Sequence, residues 1–92
     1  MTEDELRAAV LNALGEVAPE ADLAQLDRGA DLREALEIDS MDFLNLAIGV
    51  HKATGVEVPE ADYPQLRSVD AWVAYLAQRL AGARGPQPAP RP

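Results

Sequence analysis

Three apolar stripes at helical spacing limit what this chain can fold into more than any other feature. Leu6, Val10, Leu14 and Val17 fall at i, i+4, i+8 and i+11, with Ala9 and Ala13 beside them. Phe43, Leu46, Ala47 and Val50 form a second stripe, and Val69, Trp72, Val73, Leu76 and Leu80 a third. A period near 3.6 gathers each set on one helix face, and three such faces are buried only against one another. With 92 residues there is room for one small domain and no second core. The chain is 48% hydrophobic but only 4% aromatic, with much of the apolar content in Ala and Leu, which favours helix further. The expected fold class is all-α, a small four-helix bundle of three main helices plus a short third helix.

The punctuation between the stripes sets the boundaries. Thr2 and Glu5 have capping-box spacing, Glu3 and Asp4 suit a first turn, and Pro19 lies just past the end, so a helix is predicted over about residues 3–17. Residues 18–38 are a long connection, with short helical turns expected near Ala21–Leu26 and Leu32–Leu36 and the leucines holding it down. A second main helix is expected from Ser40 to Ala53, stopped by Thr54-Gly55. Val56-Glu57-Val58-Pro59 reads as an extended link, and Glu60 to Leu66, shortened by Pro64, holds at most a turn or two of helix. Ser68 caps the last helix, with Gly82 as its expected stop. The predicted core is Leu6, Val10, Leu14, Phe43, Leu46, Val50, Val58, Leu66, Trp72, Val73 and Leu76. Residues 1–82 form the expected domain, and the Pro-rich residues 83–92 are read as a disordered tail.

The second main helix carries a further stripe, Met41, Leu44 and Ile48, beside the one through Phe43. Two readings stand: a wide core face, or an apolar patch left partly exposed for a partner.

Charge and residue types exclude several functions. Acids outnumber bases seven to two in residues 1–30 and eight to two in residues 31–62, whereas residues 63–92 hold one acid and four bases, for a net charge of −8. Such a surface repels nucleic acid and attracts proteins with basic patches. Without cysteine there are no disulfides, thiolate metal sites or thiol catalysis. No apolar run reaches the ~20 residues of a membrane span and the N-terminus lacks a basic signal region, so a cytoplasmic address is the default. His51 is the sole histidine, and it lies eleven residues from Ser40 on the same predicted helix, roughly 16 Å along the axis. The two cannot form a nucleophile–base pair. The aspartates at 31, 39 and 42 lack calcium-loop alternation, and neither a Gly-rich phosphate loop nor zinc spacing occurs. The chain is therefore expected not to be an enzyme and to hold no metal of its own.

What remains is a serine on which other proteins act. Ser40 stands between Asp39 and Met41-Asp42 at a predicted helix start, where free N–H groups and the helix dipole favour an anion such as phosphate. An Asp-Ser pair in that place is by itself commonly a cap.

The stretch Asp31-Leu32 … Ile38-Asp39-Ser40-Met41-Asp42-Phe43-Leu44, followed by Gly55-Val56-Glu57-Val58-Pro59, resembles the acyl carrier protein family, in order and spacing, over about residues 3–80. The resemblance implies a bundle of that family's type. It further implies that Ser40 is esterified by 4′-phosphopantetheine from coenzyme A, attached by a separate Mg²⁺-dependent phosphopantetheinyl transferase that Asp39 helps to position. Acyl groups would ride on the arm's thiol as thioesters. Met41, Asp42, Leu44, Asn45 and Ile48 would face partner enzymes, and Phe43, Leu46, Val50, Val58, Tyr63 and Leu66 would border the interior where a chain can shelter. Implied partners are an acyl- or aminoacyl-loading ligase and synthases or transferases with basic patches, met by a monomer. Glu37, where the family carries glycine, Asn45, and the His51-Lys52 pair depart from the family pattern. They point to a discrete carrier in a specialised polyketide, lipid or related pathway. Two other readings are an aminoacyl or peptidyl carrier loaded by a stand-alone ligase, and a helical interaction module in which Ser40 is only a cap.

Overall fold

Thr2 begins the first helix as its spacing predicts. Its hydroxyl accepts from the Glu5 N–H at 3.1 Å, and the Glu5 carboxylate accepts from the Thr2 N–H at 2.7 Å. The computed structural model describes residues 1–84, and the remainder of the expected Pro-rich tail, from residue 85 on, lies outside them. The three main helices are α1 (Glu3–Val17), α3 (Ser40–Thr54) and α4 (Val69–Arg84), and a short α2 (Leu32–Leu36) lies between the first two. Single 3-10 segments, Leu23–Gln25 and Glu60–Gln65, lie before α2 and before α4. No strand occurs among the described residues, and the fold class is all-α, as the three stripes require.

Each predicted stop except one is where the residues put it. Gly55 closes α3 at φ 78, a left-handed conformation that glycine adopts without a Cβ penalty, and its N–H bonds the His51 carbonyl at 2.8 Å. Gly82 was the expected stop of the last helix, but α4 continues through it to Arg84. Glycine in a helix interior costs only about 1 kcal/mol relative to alanine, so it ends a helix only where the chain turns left-handed.

α1 packs against both α3 and α4, and the three stripes close on one core. Leu6, Val10, Leu14, Phe43, Leu46, Val50, Leu66, Val69, Trp72, Val73 and Leu76 are all buried, with Trp72 the largest side chain fully enclosed. α1 and α3 approach closely where Gly49 faces Ala13. A Cβ built on Gly49 would sit 3.2 Å from the Ala13 Cβ, so a side chain there would force the helices apart. Val58 is a correction to the predicted core. It is only half-buried, packed against the edge of the core on the same side of the link as Val56, which takes the enclosed position nearer α3.

The long connection is held by contacts far apart in sequence. The Leu32 N–H donates to the Arg67 carbonyl at 2.7 Å, and the Asp70 N–H to the Arg28 carbonyl at 3.0 Å. Asp31 caps α2 by accepting from the Arg33 N–H at 2.9 Å, while its second oxygen accepts from Arg67 Nε at 2.9 Å and also from Nη2. The Arg67 guanidinium holds the Asp31 carboxyl below the usual aspartate range, helped by the capping N–H groups. A depressed folded-state pKa means a contribution that is complete above the ordinary aspartate pKa and lost as pH falls through the folded value. Asn also caps helices well, so Asp31→Asn removes the charge and keeps the cap. The stability difference between wild type and Asp31→Asn is therefore expected to be largest near neutral pH and to shrink below about pH 4. Thermal melts across that range check this, and a difference independent of pH would contradict it.

A second clamp fixes the 3-10 segment Glu60–Gln65 to α4. Asp62 Oδ2 accepts from the Tyr75 hydroxyl at 2.5 Å and from Arg79 Nη2 at 2.8 Å. Burial, together with the bond to Asp62, raises the Tyr75 pKa above its ordinary value.

Candidate functional site

Around Ser40 the helix start is built by its two aspartates, and Ser40 itself is not the cap. Asp39 is the N-cap: its Oδ1 accepts from the Asp42 N–H at 2.8 Å, and Asp42 Oδ2 accepts from the Asp39 N–H at 3.3 Å. This reciprocal pair is a capping box with aspartate in the place of the usual glutamate. Ser40 therefore occupies the first helical position, exposed, with its Oγ in no hydrogen bond among the described residues. The reading of Ser40 as a cap is corrected here. A shorter carboxylate at the preceding residue has the extended backbone that a cap needs, φ −98 and ψ −173, and takes the role. The consequence is chemical: the hydroxyl is left unengaged on the surface, beside the positive end of a 15-residue helix.

Glu37 turns the chain into this start. It ends α2 at φ 53 and ψ 38, and among the described residues it is the one non-glycine residue with positive φ. A side chain with a Cβ is strained there by about 1–2 kcal/mol. The sequence departs from the pattern it resembles at a position where glycine is the unstrained choice. Glu37→Gly is expected to raise stability by roughly 0.5–1 kcal/mol, strain relief being partly offset by glycine's greater unfolded-state entropy. Urea unfolding measures it, and a destabilised variant would mean the glutamate side chain outweighs its backbone cost.

The remaining expected site residues divide by exposure. Met41, Leu44 and Ile48 are 65%, 40% and 44% exposed, which decides between the two readings of their stripe: they are not core. Asn45 beside them is exposed, and Asp42 is half-buried with its carboxylate tied into the capping box. Phe43, Leu46, Val50 and Leu66 are buried, whereas Val58 and Tyr63 are only half-buried. Of those six, Phe43 and Tyr63 border an open cleft of about 330 Å³, together with Asp31, Arg33, Pro64 and Arg67. Their rings meet at 5.0 Å between centroids. The two arginines of this cleft were not singled out from sequence. Nothing local marks them, because Arg67 meets Asp31 across 36 residues and Arg33 lies over the Phe43 ring, 5.2 Å from its centroid. His51 is exposed on the last turn of α3 with Lys52, where both complement the helix dipole. Among the described residues no group of three or more His, Cys, Asp or Glu could hold a metal ion, and no helix is long and apolar enough to cross a membrane.

Residues 4–76 match the family described as "Phosphopantetheine attachment site". An "Acyl carrier protein" of Rubrobacter xylanophilus is 27% identical over 75 residues, covering 78% of this chain and 93% of the relative. The family's cofactor is 4′-phosphopantetheine, and an exposed hydroxyl unencumbered by any hydrogen bond at the N-terminus of a long helix fits such a group. With the matched segment running from the first turn of α1 to the buried Leu76 of α4, the chain belongs to the phosphopantetheine attachment site family and is a carrier-protein domain.

Proposed function

We propose that Ser40 is the attachment point of the 4′-phosphopantetheine arm and that the chain is a discrete acyl carrier for a specialised biosynthetic pathway. The observation that carries this is the division of labour at the start of α3: Asp39 and Asp42 complete the cap, and the Ser40 hydroxyl is left exposed with no partner. When bound, the arm supplies a terminal thiol that holds acyl groups as thioesters, which this cysteine-free chain lacks.

The chain's own residues then position, shelter and present. Ser40 opens α3, so the positive end of the helix dipole would favour a phosphodiester attached there. Met41, Leu44 and Ile48 offer an exposed apolar strip beside the attachment point, and Asn45 lies within it. This is the surface we assign to the transferase, the loading ligase and the synthases or transferases that use the cargo. The excess of acids in residues 1–62 steers partners with basic patches to it, chiefly by raising encounter rate. Phe43 and Tyr63 line a cleft against which a short cargo can rest. Departures from the usual acidic pattern, Asn45 and the His51-Lys52 pair, support a partner set other than that of a general fatty-acid carrier. A cytoplasmic monomer is the form in which we expect it to act.

The test is intact mass after incubation with coenzyme A, Mg²⁺ and a broad-specificity phosphopantetheinyl transferase. Gain of one phosphopantetheine, traced by peptide mapping to Ser40, is the expected result. No gain would overturn the proposal.

Asp39 carries two separable roles, capping and charge. Asp39→Asn keeps the cap and removes the carboxylate, whereas Asp39→Ala removes both and is expected to cost about 1 kcal/mol of stability. We expect Asp39→Asn to melt close to wild type yet to be loaded more slowly, because a carboxylate beside the transferase's Mg²⁺ is lost. Loading at the wild-type rate would limit Asp39 to capping.

A further inference from the structure

The cleft beside Phe43 has a charge that the rest of the molecule does not predict. In a chain of net charge −8, with eight acids to two bases over residues 31–62, its rim holds two guanidinium groups and one carboxylate. Arg67 is already committed to Asp31 through two N–H groups. Arg33 is not: it makes no ion pair among the described residues, and its guanidinium lies over the Phe43 ring, 5.2 Å from the centroid. Its guanidinium makes no side-chain hydrogen bond among the described residues, and its N–H donors match a carboxylate in fork geometry. The walls below are the rings of Phe43 and Tyr63, with Pro64 at the side.

Phe43 lies three residues after Ser40 in α3, so the two share a helix face with about 5–6 Å between their Cβ atoms. An arm attached at Ser40 would thus begin on a helix that lines the cleft, and it would fold back to bring its acyl end to Arg33. We propose that this cleft receives the free carboxylate of a short dicarboxylic acyl group carried on the chain's own arm, with Arg33 as the recognising cation. This rests on the assignment of Ser40 as the attachment point. A volume of about 330 Å³ is at the lower end for small-molecule sites, which suits a short acyl group rather than a long one. An exposed arginine–carboxylate pair is weak on its own, so the site also needs the apolar contact of the acyl group with Phe43 and Tyr63; a tether then fills it once the two together reach a Kd in the millimolar range, the effective concentration it provides. Arg33 acts as a specificity-determining residue: it distinguishes cargo ending in a carboxylate from cargo ending in a methyl group.

The experiment loads the full chain separately with the arm alone, with acetyl, with malonyl and with succinyl cargo, each from its coenzyme A donor. Mass spectrometry verifies each product. The readout is the proton–nitrogen NMR signal of the Arg33 side chain and the amides of Phe43 and Tyr63. Malonyl and succinyl forms are expected to shift these signals relative to the acetyl form, and about 0.5 M NaCl is expected to remove the difference by screening. Arg33→Gln should abolish the difference while leaving the mass gain intact. Identical spectra for acetyl and malonyl forms would overturn the inference. So would a shift already complete with the unacylated arm, which would mean that the phosphodiester occupies the cleft. Failure to gain mass at all would instead strike at the assignment of Ser40, so the two outcomes are distinct.

Discussion

Ser40→Ala is expected to abolish phosphopantetheine loading completely while leaving the fold as stable as wild type. The two halves of this result follow from the same geometry. The hydroxyl oxygen is the sole heavy atom that the substitution removes, and it takes no hydrogen bond among the described residues. Asp39 and Asp42 hold the helix start by themselves, so the alanine at the first helical position changes stability by no more than about 0.5 kcal/mol, as for an ordinary surface site. Had Ser40 been the cap, the same substitution would cost about 1 kcal/mol. Intact mass and a urea titration on the same preparation therefore examine both the chemistry and the capping assignment. Loss of loading with an unchanged unfolding midpoint is the expected pair. Retained loading would move the attachment point elsewhere in the chain, and a large midpoint shift would return Ser40 to a structural role.

Trp72→Ala is expected to have the largest effect on stability, about 3–5 kcal/mol, the range for emptying a buried aromatic site. Trp72 is fully buried, packs on Phe43 at 5.9 Å between ring centroids, and lies on α4 where that helix closes over the core. Small domains have total stabilities near 5–15 kcal/mol, so this single cavity takes a large part of it. Far-UV circular dichroism during urea unfolding measures the loss. Trp72→Phe retains most of the apolar contact and gives a smaller loss on the same scale, which keeps the measurement readable if the alanine variant does not fold. A variant losing less than about 1 kcal/mol would mean the site collapses around the missing ring and that the tryptophan is not central to the core.

Most of the fold was legible in the sequence, and the reason is locality. The Thr2–Glu5 box, the 3.6-residue stripes, the Gly55 stop and the short turns at Leu23–Gln25 and Leu32–Leu36 each depend on residues within a few positions of one another. The candidate serine was legible for a similar reason, since its flanking residues and spacing repeat a family pattern. The reading failed by small steps with chemical consequences. The cap is Asp39 and not the adjacent Ser40, and that one-position step frees the hydroxyl. The buried residue of the link is Val56 and not Val58 two positions on, and α4 continues through Gly82.

By itself, then, the sequence determined the class of fold, the three main helices and the family, because helix formation and capping are decided by near neighbours along the chain. Only the tertiary structure decided which of the two apolar stripes of α3 is covered. Both satisfy the helical period, and the choice lies in where α1 and α4 pack, leaving Met41, Leu44 and Ile48 outside. It also decided the cleft: Asp31 meets Arg67 across 36 residues, and Arg33 of α2 lies over the Phe43 ring of α3. Ion pairs and stacking at that separation depend on the packing of helices and not on any spacing in the chain, so the residues that border the proposed cargo site came into view only once the helices were in place.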